Sequence, residues 1–343
     1  MQDLYYEKYL NNDLFIKRYI IPNIKWHFSY LNGKRGFSRI YKVPYAAFLK
    51  KFFLKSYFTK RVLQGKVDIP YLELVLTTKC TMRCESCNNL MQYFSPNNQY
   101  TSTLEGLKTS LETLFEKVDS IQRLRIIGGE PLLFKELPQL INYIENSKKI
   151  FTFDILTNAT IDFSDELVKE LKNSKKLRKI SISDYKKSPN LKIPLKQESI
   201  FKKLKENKIA YSFNTTDTWY DIEKIYKRNR TKEDIIKNYY ACMMPCVSLM
   251  SAQGISNGGG DKHLLAPKGA IFVCPVASSL SRLKGLEEFS GDFINLEDDK
   301  KRYLDFYVQD FFKACDYCHD YTKPIKNIPI AIQTKKILKL EKD

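Results

Sequence analysis

Residues 71–89, YLELVLTTKCTMRCESCNN, join a short apolar run to three cysteines, Cys80, Cys84 and Cys87, at a spacing of three residues and then two. The run 71–77 is too short for a helix and reads as a strand. Three thiolates just past its end converge on something that ordinarily takes four ligands, so the question is what fills the fourth place. Other apolar runs end the same way. RLRIIG (123–128) passes into GGEP (128–131), FTFDILT (151–157) ends at Thr157 and Asn158, and RKISIS (178–183) ends at Ser181, Ser183 and Asp184. IAYSFN (209–214) reads as a further strand. Between them lie helical patterns, clearest in STLEGLKTSLETLFEKV (102–118), where Leu104, Leu107, Leu111, Leu114 and Val118 share a face and Ser102 with Glu105 makes a capping box. Strand and helix alternating at this pace predict an α/β fold of parallel strands with right-handed crossovers, either a complete or partial barrel or an open sheet. In such folds chemistry collects at the carboxyl ends of the strands, where these polar residues fall.

The 343 residues suffice for a large core without disulfide staples. There is no uncharged apolar run long enough to span a bilayer, and the opening MQDLYYEKYLNNDLF lacks a secretory pattern, so the expectation is a cytoplasmic chain. There, eight cysteines read as metal or redox groups. The net charge of +18 is uneven: residues 1–70 hold 14 Lys and Arg against 4 Asp and Glu, or +10. YAAFLKKFFLKSYFTKRVLQGK (45–66) mixes those cations with aromatics. It suits either a helix packed through its aromatic side with a solvated basic face, or contact with a membrane surface or lipid-linked ligand. No nucleic-acid motif accompanies the charge, so nucleic acid is not favoured. The expected division is a basic, mainly helical segment over 1–68, a barrel-like domain over 69–235 and a cysteine-rich domain over 236–343, the last containing a Gly-rich loop NGGG (257–260).

On spacing alone the triplet fits a structural zinc site with a distant fourth ligand, or a 4Fe–4S cluster with one iron left open. With GGEP following at the next strand end, the sequence resembles the radical SAM superfamily, whose signature is CxxxCxxC after the first barrel strand. The resemblance implies a partial (β/α)6 TIM-like barrel. It also implies a cluster on Cys80, Cys84 and Cys87, with S-adenosylmethionine on the open iron and Gly128, Gly129 and Glu130 lining its methionyl end. The cofactor would be cleaved reductively to a 5'-deoxyadenosyl radical that takes hydrogen from a substrate, with an electron donor such as flavodoxin or ferredoxin. Thr157, Asn158, Ser181, Ser183 and Asp184 are candidates for hydrogen bonds to cofactor or substrate. Relatives often carry an aromatic residue before the third cysteine; Ser86 stands there in this chain.

Five cysteines remain: Cys242, Cys246, Cys274, Cys315 and Cys318. A cysteine, then GxxxxC (Gly269 to Cys274), then CxxC resembles the Twitch domain, the short form of the SPASM extension, which holds an auxiliary 4Fe–4S cluster. The first ligand is either Cys242 or Cys246; with Cys246 as ligand, beside Cys274, Cys315 and Cys318, Cys242 becomes a candidate hydrogen-atom donor, and the roles exchange if Cys242 is the ligand. Cys315 to His319 also spells CxxCH, the attachment motif of c-type haem, and a zinc site would suit four of the five. CNNLMQYF, ISISDY and CPVA also resemble radical SAM proteins of surface-polysaccharide biosynthesis, and with the Twitch resemblance this implies epimerisation or dehydrogenation of a sugar-like substrate, nucleotide- or lipid-linked. Modification of a peptide, or zinc-dependent binding of nucleic acid, are the alternatives.

Overall fold

Each apolar run singled out above forms a strand in the computed structural model, which describes residues 2–33, 44–255 and 265–340; NGGG lies outside these. In chain order the strands are β1 (Asp68–Ile69), β2 (Leu72–Val75), β3 (Ser120–Ile127), β4 (Ile150–Thr157), β5 (Leu177–Ser183), β6 (Tyr211–Asn214), β7 (Thr218–Tyr220), β8 (Val247–Met250), β9 (Ala270–Phe272), β10 (Phe293–Asn295) and β11 (Asn327–Pro329). The main sheet has the order β10-β9-β8-β2-β3-β4-β5-β6, with β1 beside β3. From β8 to β6 neighbouring strands are parallel. β9 and β10 extend the sheet antiparallel beyond β8. The fold is thus mixed α/β around a parallel core, consistent with a partial barrel. The sheet also crosses residue 235, because β8 pairs with β2. In sequence β8 hides as four residues without a following amphipathic helix of the earlier kind.

Helices Leu104–Lys117, Leu137–Asn146, Asp165–Asn173 and Gln197–Glu206 link β2 through β6. In the first, Leu107, Leu111 and Leu114 are fully buried, which is what the 3.6-residue spacing of apolar positions demands. Its cap lies one residue later than the capping box predicts: the Thr103 hydroxyl accepts from Gly106 N, while Ser102 Oγ pairs with Ser251 Oγ at 2.7 Å. The alternation of side chains along the strands separates two faces. Leu74, Ile126 and Ile155 are paired neighbours on one, and Glu73, Arg125 and Asp154 on the other. There Asp154 accepts from Arg123 Nε and Nη2 at 2.7 and 2.8 Å and from Arg125 Nε at 2.9 Å. Burial pushes the Asp154 carboxyl up, but the two arginines outweigh it and hold the group below its ordinary range.

The amino-terminal helices close the amino end of this sheet. Asn23 Nδ2 donates to Asp68 O at 2.9 Å, His27 Nδ1 lies 2.8 Å from Gln122 Oε1, and Tyr30 stacks on Phe151. Trp26 and Tyr71 sandwich Arg123, each ring centroid 4.2 Å from the guanidinium carbon. In helix Pro44–Leu63 the stripe Leu54, Phe58 and Val62 is buried, while Phe52, Phe53 and Tyr57 remain exposed beside Lys55 and Lys60. The helix is thus packed through one aromatic and aliphatic stripe, with Phe52 and Phe53 outside it. Among the described residues no helix is long and apolar enough to cross a membrane.

Candidate functional site

The loops after β2, β3 and β4 are tied together by short polar contacts. Gly129 N donates to Thr77 O at 2.8 Å and Glu130 N to Lys79 O at 2.9 Å, so GGEP lies directly on the chain leading into Cys80. A Cβ on Gly129 would fall 2.2 Å from Lys79 O and 2.8 Å from Cys80 Cβ; only glycine allows this approach. Gly128 is close against Thr77 in the same way, and its carbonyl accepts from Asn89 Nδ2 at 3.2 Å. The Glu130 carboxylate accepts from Thr157 Oγ1 and Asn158 N, both at 2.8 Å, and from Leu132 N at 3.1 Å. Burial pushes this carboxyl up to about 7 despite those donors. Asn158 Nδ2 in turn donates to Thr81 Oγ1 at 3.1 Å and reaches to 3.6 Å from Cys80 Sγ.

Cys80, Cys84 and Cys87 gather in one small apolar cluster with Met82, Ile330 and Ala331. Burial raises all three thiols, Cys84 to about 12, so a metal must displace protons to bind them. The triplet loop is covered by the carboxyl-terminal segment, a contact without any sequence signal. Glu85 N donates to Ile332 O, Thr334 N to Arg83 O, and Gln333 Nε2 to Cys84 Sγ at 3.2 Å. The neighbouring pairing of β11 with β7 anchors this cover.

Beside the triplet opens a cavity of ≈ 420 Å³ whose wall includes Cys87, Tyr185, Trp219, Asp221, Cys242 and His319. Ser86 Oγ donates to Asp221 Oδ1 at 3.3 Å, and the aromatic surface comes from Tyr185 and Trp219, packed edge to face at 5.6 Å. Sequence reasoning missed Tyr185, Trp219 and Asp221. The available signals were that Tyr185 directly follows the polar end of β5 and that Trp219 is one of only two tryptophans. Of the strand-end candidates, Thr157 and Asn158 hold Glu130 and the triplet loop, and Ser183 bonds the Tyr185 side chain. Asp184 accepts from Lys186 N and Gln197 Nε2, and buried Ser181 stays within β5. Ser181, Ser183 and Asp184 are outside the cavity wall.

Cys242, Cys274, Cys315 and Cys318 line a second, small cavity with Asn238 and Tyr321. Of the two candidates for the first ligand, Cys242 lines this cavity with the other three, while Cys246, within electrostatic reach of Cys274, does not line it. Cys246 precedes β8, buried against Glu73, whose charge adds to burial in raising its thiol. The 315–321 turn is held by Asn238, which donates to His319 O at 3.0 Å and accepts from Tyr321 N at 2.7 Å, and by Asp316, which accepts from Asn229 N and Arg230 N. Cys242 lines both cavities. Among the described residues no three His, Cys, Asp or Glu side chains converge on one ion position. The donor set, soft thiols in dry pockets, fits iron and sulfide.

Residues 74–183 match the Radical SAM superfamily, a stretch that takes in the triplet, GGEP and the ends of β2 through β5. The GTP 3',8-cyclase of Syntrophomonas wolfei is 31% identical over 113 residues, which cover 31% of this chain and 32% of that protein. Human molybdenum cofactor biosynthesis protein 1 is 27% identical over 130 residues, 38% of this chain and 18% of that one. The chain thus spans about a third of the length of the cyclase it matches. Among solved structures, anSMEcpe with bound AdoMet and a peptide is similar at a TM-score of 0.42 and 14% identity, covering 80% of this chain and 92% of that one. Streptococcus suis SuiB bound to S-adenosylmethionine is similar at a TM-score of 0.36 and 16% identity, covering 56% and 43%.

Proposed function

We propose that this chain is a radical SAM enzyme that oxidises a sugar-like substrate held between two iron-sulfur sites. Cys80, Cys84 and Cys87 would hold the first cluster, and Cys242, Cys274, Cys315 and Cys318 an auxiliary one. S-adenosylmethionine held at the first would supply hydrogen-abstraction chemistry, and the auxiliary cluster would take up the electron that the substrate radical gives up. The protein's own part is to position and to exclude. Glu130 and Asn158 fix the triplet loop, and the segment around Gln333 keeps water from it. Tyr185 and Trp219 offer apolar ring faces, with Asp221 and Asn88 as polar edges, a combination suited to a hydroxylated ring.

The observation that carries this reading is the position of Cys242, in the wall of both cavities. Inversion at carbon would need a free thiol in the substrate cavity. With Cys87 and Cys242 bound in their clusters and Cys246 turned to Glu73, the cavity would keep no free thiol, which favours net two-electron oxidation over epimerisation. The matched family segment ends at residue 183, ahead of Trp219, Asp221, Cys242 and His319. An electron donor of the flavodoxin or ferredoxin type, and contact of the exposed Phe52 and Phe53 face with an anionic membrane surface, complete the proposal.

The test is iron and sulfide content after anaerobic purification. Cys242→Ala should lose the auxiliary cluster, about four irons per chain, and Cys246→Ala should keep it. The opposite outcome would restore Cys246 as ligand and Cys242 as hydrogen donor. Cys80→Ala should abolish reductive cleavage of S-adenosylmethionine with auxiliary iron in place; retained cleavage would end the radical SAM reading. Product made in deuterated solvent should carry no non-exchangeable deuteron at the attacked carbon.

A further inference from the structure

Gln333 meets Cys84 across 249 positions of the chain. Its carboxamide has an acceptor oxygen and two N–H donors, and all of them are in use. Oε1 accepts from Arg83 N at 2.9 Å, while Nε2 donates to Ala331 O at 2.6 Å and to Cys84 Sγ at 3.2 Å. Turning the amide over would set its NH2 against the Arg83 N–H and its oxygen against Ala331 O, so these two partners fix the donor toward the sulfur. The main chain of Gln333 is clamped as well: its N–H donates to Asn190 Oδ1 at 2.8 Å and its carbonyl accepts from Asn190 Nδ2 at 2.9 Å. The bonds from Glu85 N to Ile332 O and from Thr334 N to Arg83 O already fasten this segment over the triplet loop whatever the side chain at 333. Beyond meeting Arg83 N, the carboxamide adds an N–H directed at a sulfur.

The other two thiols draw their donors from elsewhere. Cys80 Sγ accepts from Met82 N at 3.4 Å and lies 3.6 Å from Asn158 Nδ2, and the backbone N–H groups of Asn89, Leu90 and Met91 bond Cys87. Among the described residues Gln333 is the one donor to Cys84. We propose that Gln333 is a positioning residue for the triplet cluster, and that its N–H on the Cys84 sulfur raises the reduction potential of that cluster. Reduction adds one electron and makes or breaks no bond; the added charge spreads onto the sulfurs, where an N–H donor stabilises it. The carboxyl-terminal segment thereby sets how readily the triplet site takes up the electron that a flavodoxin- or ferredoxin-type donor delivers. This rests on the cluster assignment proposed above and adds to it a residue far outside the matched family segment 74–183.

The experiment is a redox titration of the iron-loaded full chain with dithionite and mediators, followed by electron paramagnetic resonance. The signal that changes on adding S-adenosylmethionine reports the triplet cluster, and iron, sulfide and thermal midpoint are recorded for each protein. Gln333→Met and Gln333→Leu fill the space without a donor. Both should keep full iron and move this potential to more negative values, by about tenfold in the reduction equilibrium, or about 59 mV for one electron. A residue that merely excluded water would act in the opposite sense, because water entering through a loosened cover stabilises the reduced state. An unchanged or less negative potential would therefore overturn the assignment and leave the cluster reading intact. Loss of the triplet iron in both variants would make Gln333 a structural cover and also overturn it. Wild type labelled with 15N in its glutamine side chains should show, in pulsed resonance of the reduced cluster, coupling to an amide nitrogen at hydrogen-bond range. Absence of that coupling would overturn the assignment however the variants fold. A wild-type chain with no signal responsive to S-adenosylmethionine would remove the cluster reading, and the role of Gln333 with it.

Discussion

Replacing Gly129 by alanine tests whether the second motif acts by supporting the first. The new methyl carbon would lie 2.2 Å from Lys79 O, 2.6 Å from Lys79 C and 2.8 Å from Cys80 Cβ. All three neighbours are backbone or the first side-chain atom, so no flexible end can move aside, and the chain at Lys79 and Cys80 must shift by about an ångström or more to restore ordinary contact. Overpacking of this kind costs about 1–3 kcal/mol. The shift also strains the hydrogen bonds from Gly129 N to Thr77 O and from Glu130 N to Lys79 O, each worth about 1 kcal/mol. The expected loss is therefore about 2–4 kcal/mol of stability, together with selective loss of the cluster on Cys80, Cys84 and Cys87. Chemical denaturation gives the first, and iron and sulfide analysis beside S-adenosylmethionine binding gives the second. Gly106→Ala is the control: there the methyl meets only the end of the Gln253 side chain, which can move by giving up two exposed bonds to Thr103 for water, and helix propensity improves. If Gly129→Ala kept full iron and full stability, the close approach of GGEP to the triplet loop would be wrong.

Glu130→Gln should change the pH dependence of stability. Its carboxyl rises from an ordinary 4.5 to about 7 on folding, so the folded state binds the extra proton and wild type loses stability as pH rises through that window. The variant lacks this slope, and the difference between the two proteins should grow by about 3 kcal/mol from pH 4 to pH 8; a difference constant with pH would show that Glu130 does not titrate there. Asp154→Asn leaves Arg123 and Arg125 with only the more distant Glu73, 3.9 Å from Arg125 Nη1, as counter-charge, and should cost about 3–5 kcal/mol in denaturant titration; a loss below about 1 kcal/mol would mean that solvent reaches the pair. Phe52→Ser with Phe53→Ser should weaken binding to phosphatidylglycerol vesicles by about tenfold or more without altering iron content. Equal sedimentation of both proteins with these vesicles, or of wild type with phosphatidylcholine alone, would refute an apolar and electrostatic contact through that helix face.

The parts of the fold legible in sequence are those where a local pattern carries a single physical meaning. Leu107, Leu111 and Leu114 repeat at helical spacing and are buried; Glu73, Arg125 and Asp154 alternate with apolar neighbours and line one face of the sheet. CxxxCxxC and GGEP were legible because cluster ligation and close backbone approach demand particular residue types at fixed separations. What stayed hidden depends on contacts far apart in the chain. Gln333 meets Cys84, Asp221 meets Ser86, and β8 joins β2, and none of these residues carries a local pattern that would mark the meeting.

Cys242 and Cys246 show the limit most clearly. They lie four residues apart in sequence, and both precede GxxxxC at a comparable distance, so spacing treats them alike. Geometry separates them because helix Lys232–Cys242 ends at Met243, whose left-handed backbone (φ 35°) reverses the chain before β8 begins at Val247. One thiol is left at the helix end facing Cys274, Cys315 and Cys318, and the other is carried under the sheet toward Glu73. The chemical consequence exceeds the geometric one. A thiol held by a cluster cannot return a hydrogen atom to a substrate radical, and a thiol buried beside Glu73 does not reach it. On the ligand set proposed above the same turn goes with oxidation, and the iron content of the two alanine variants tests that set before any substrate is known.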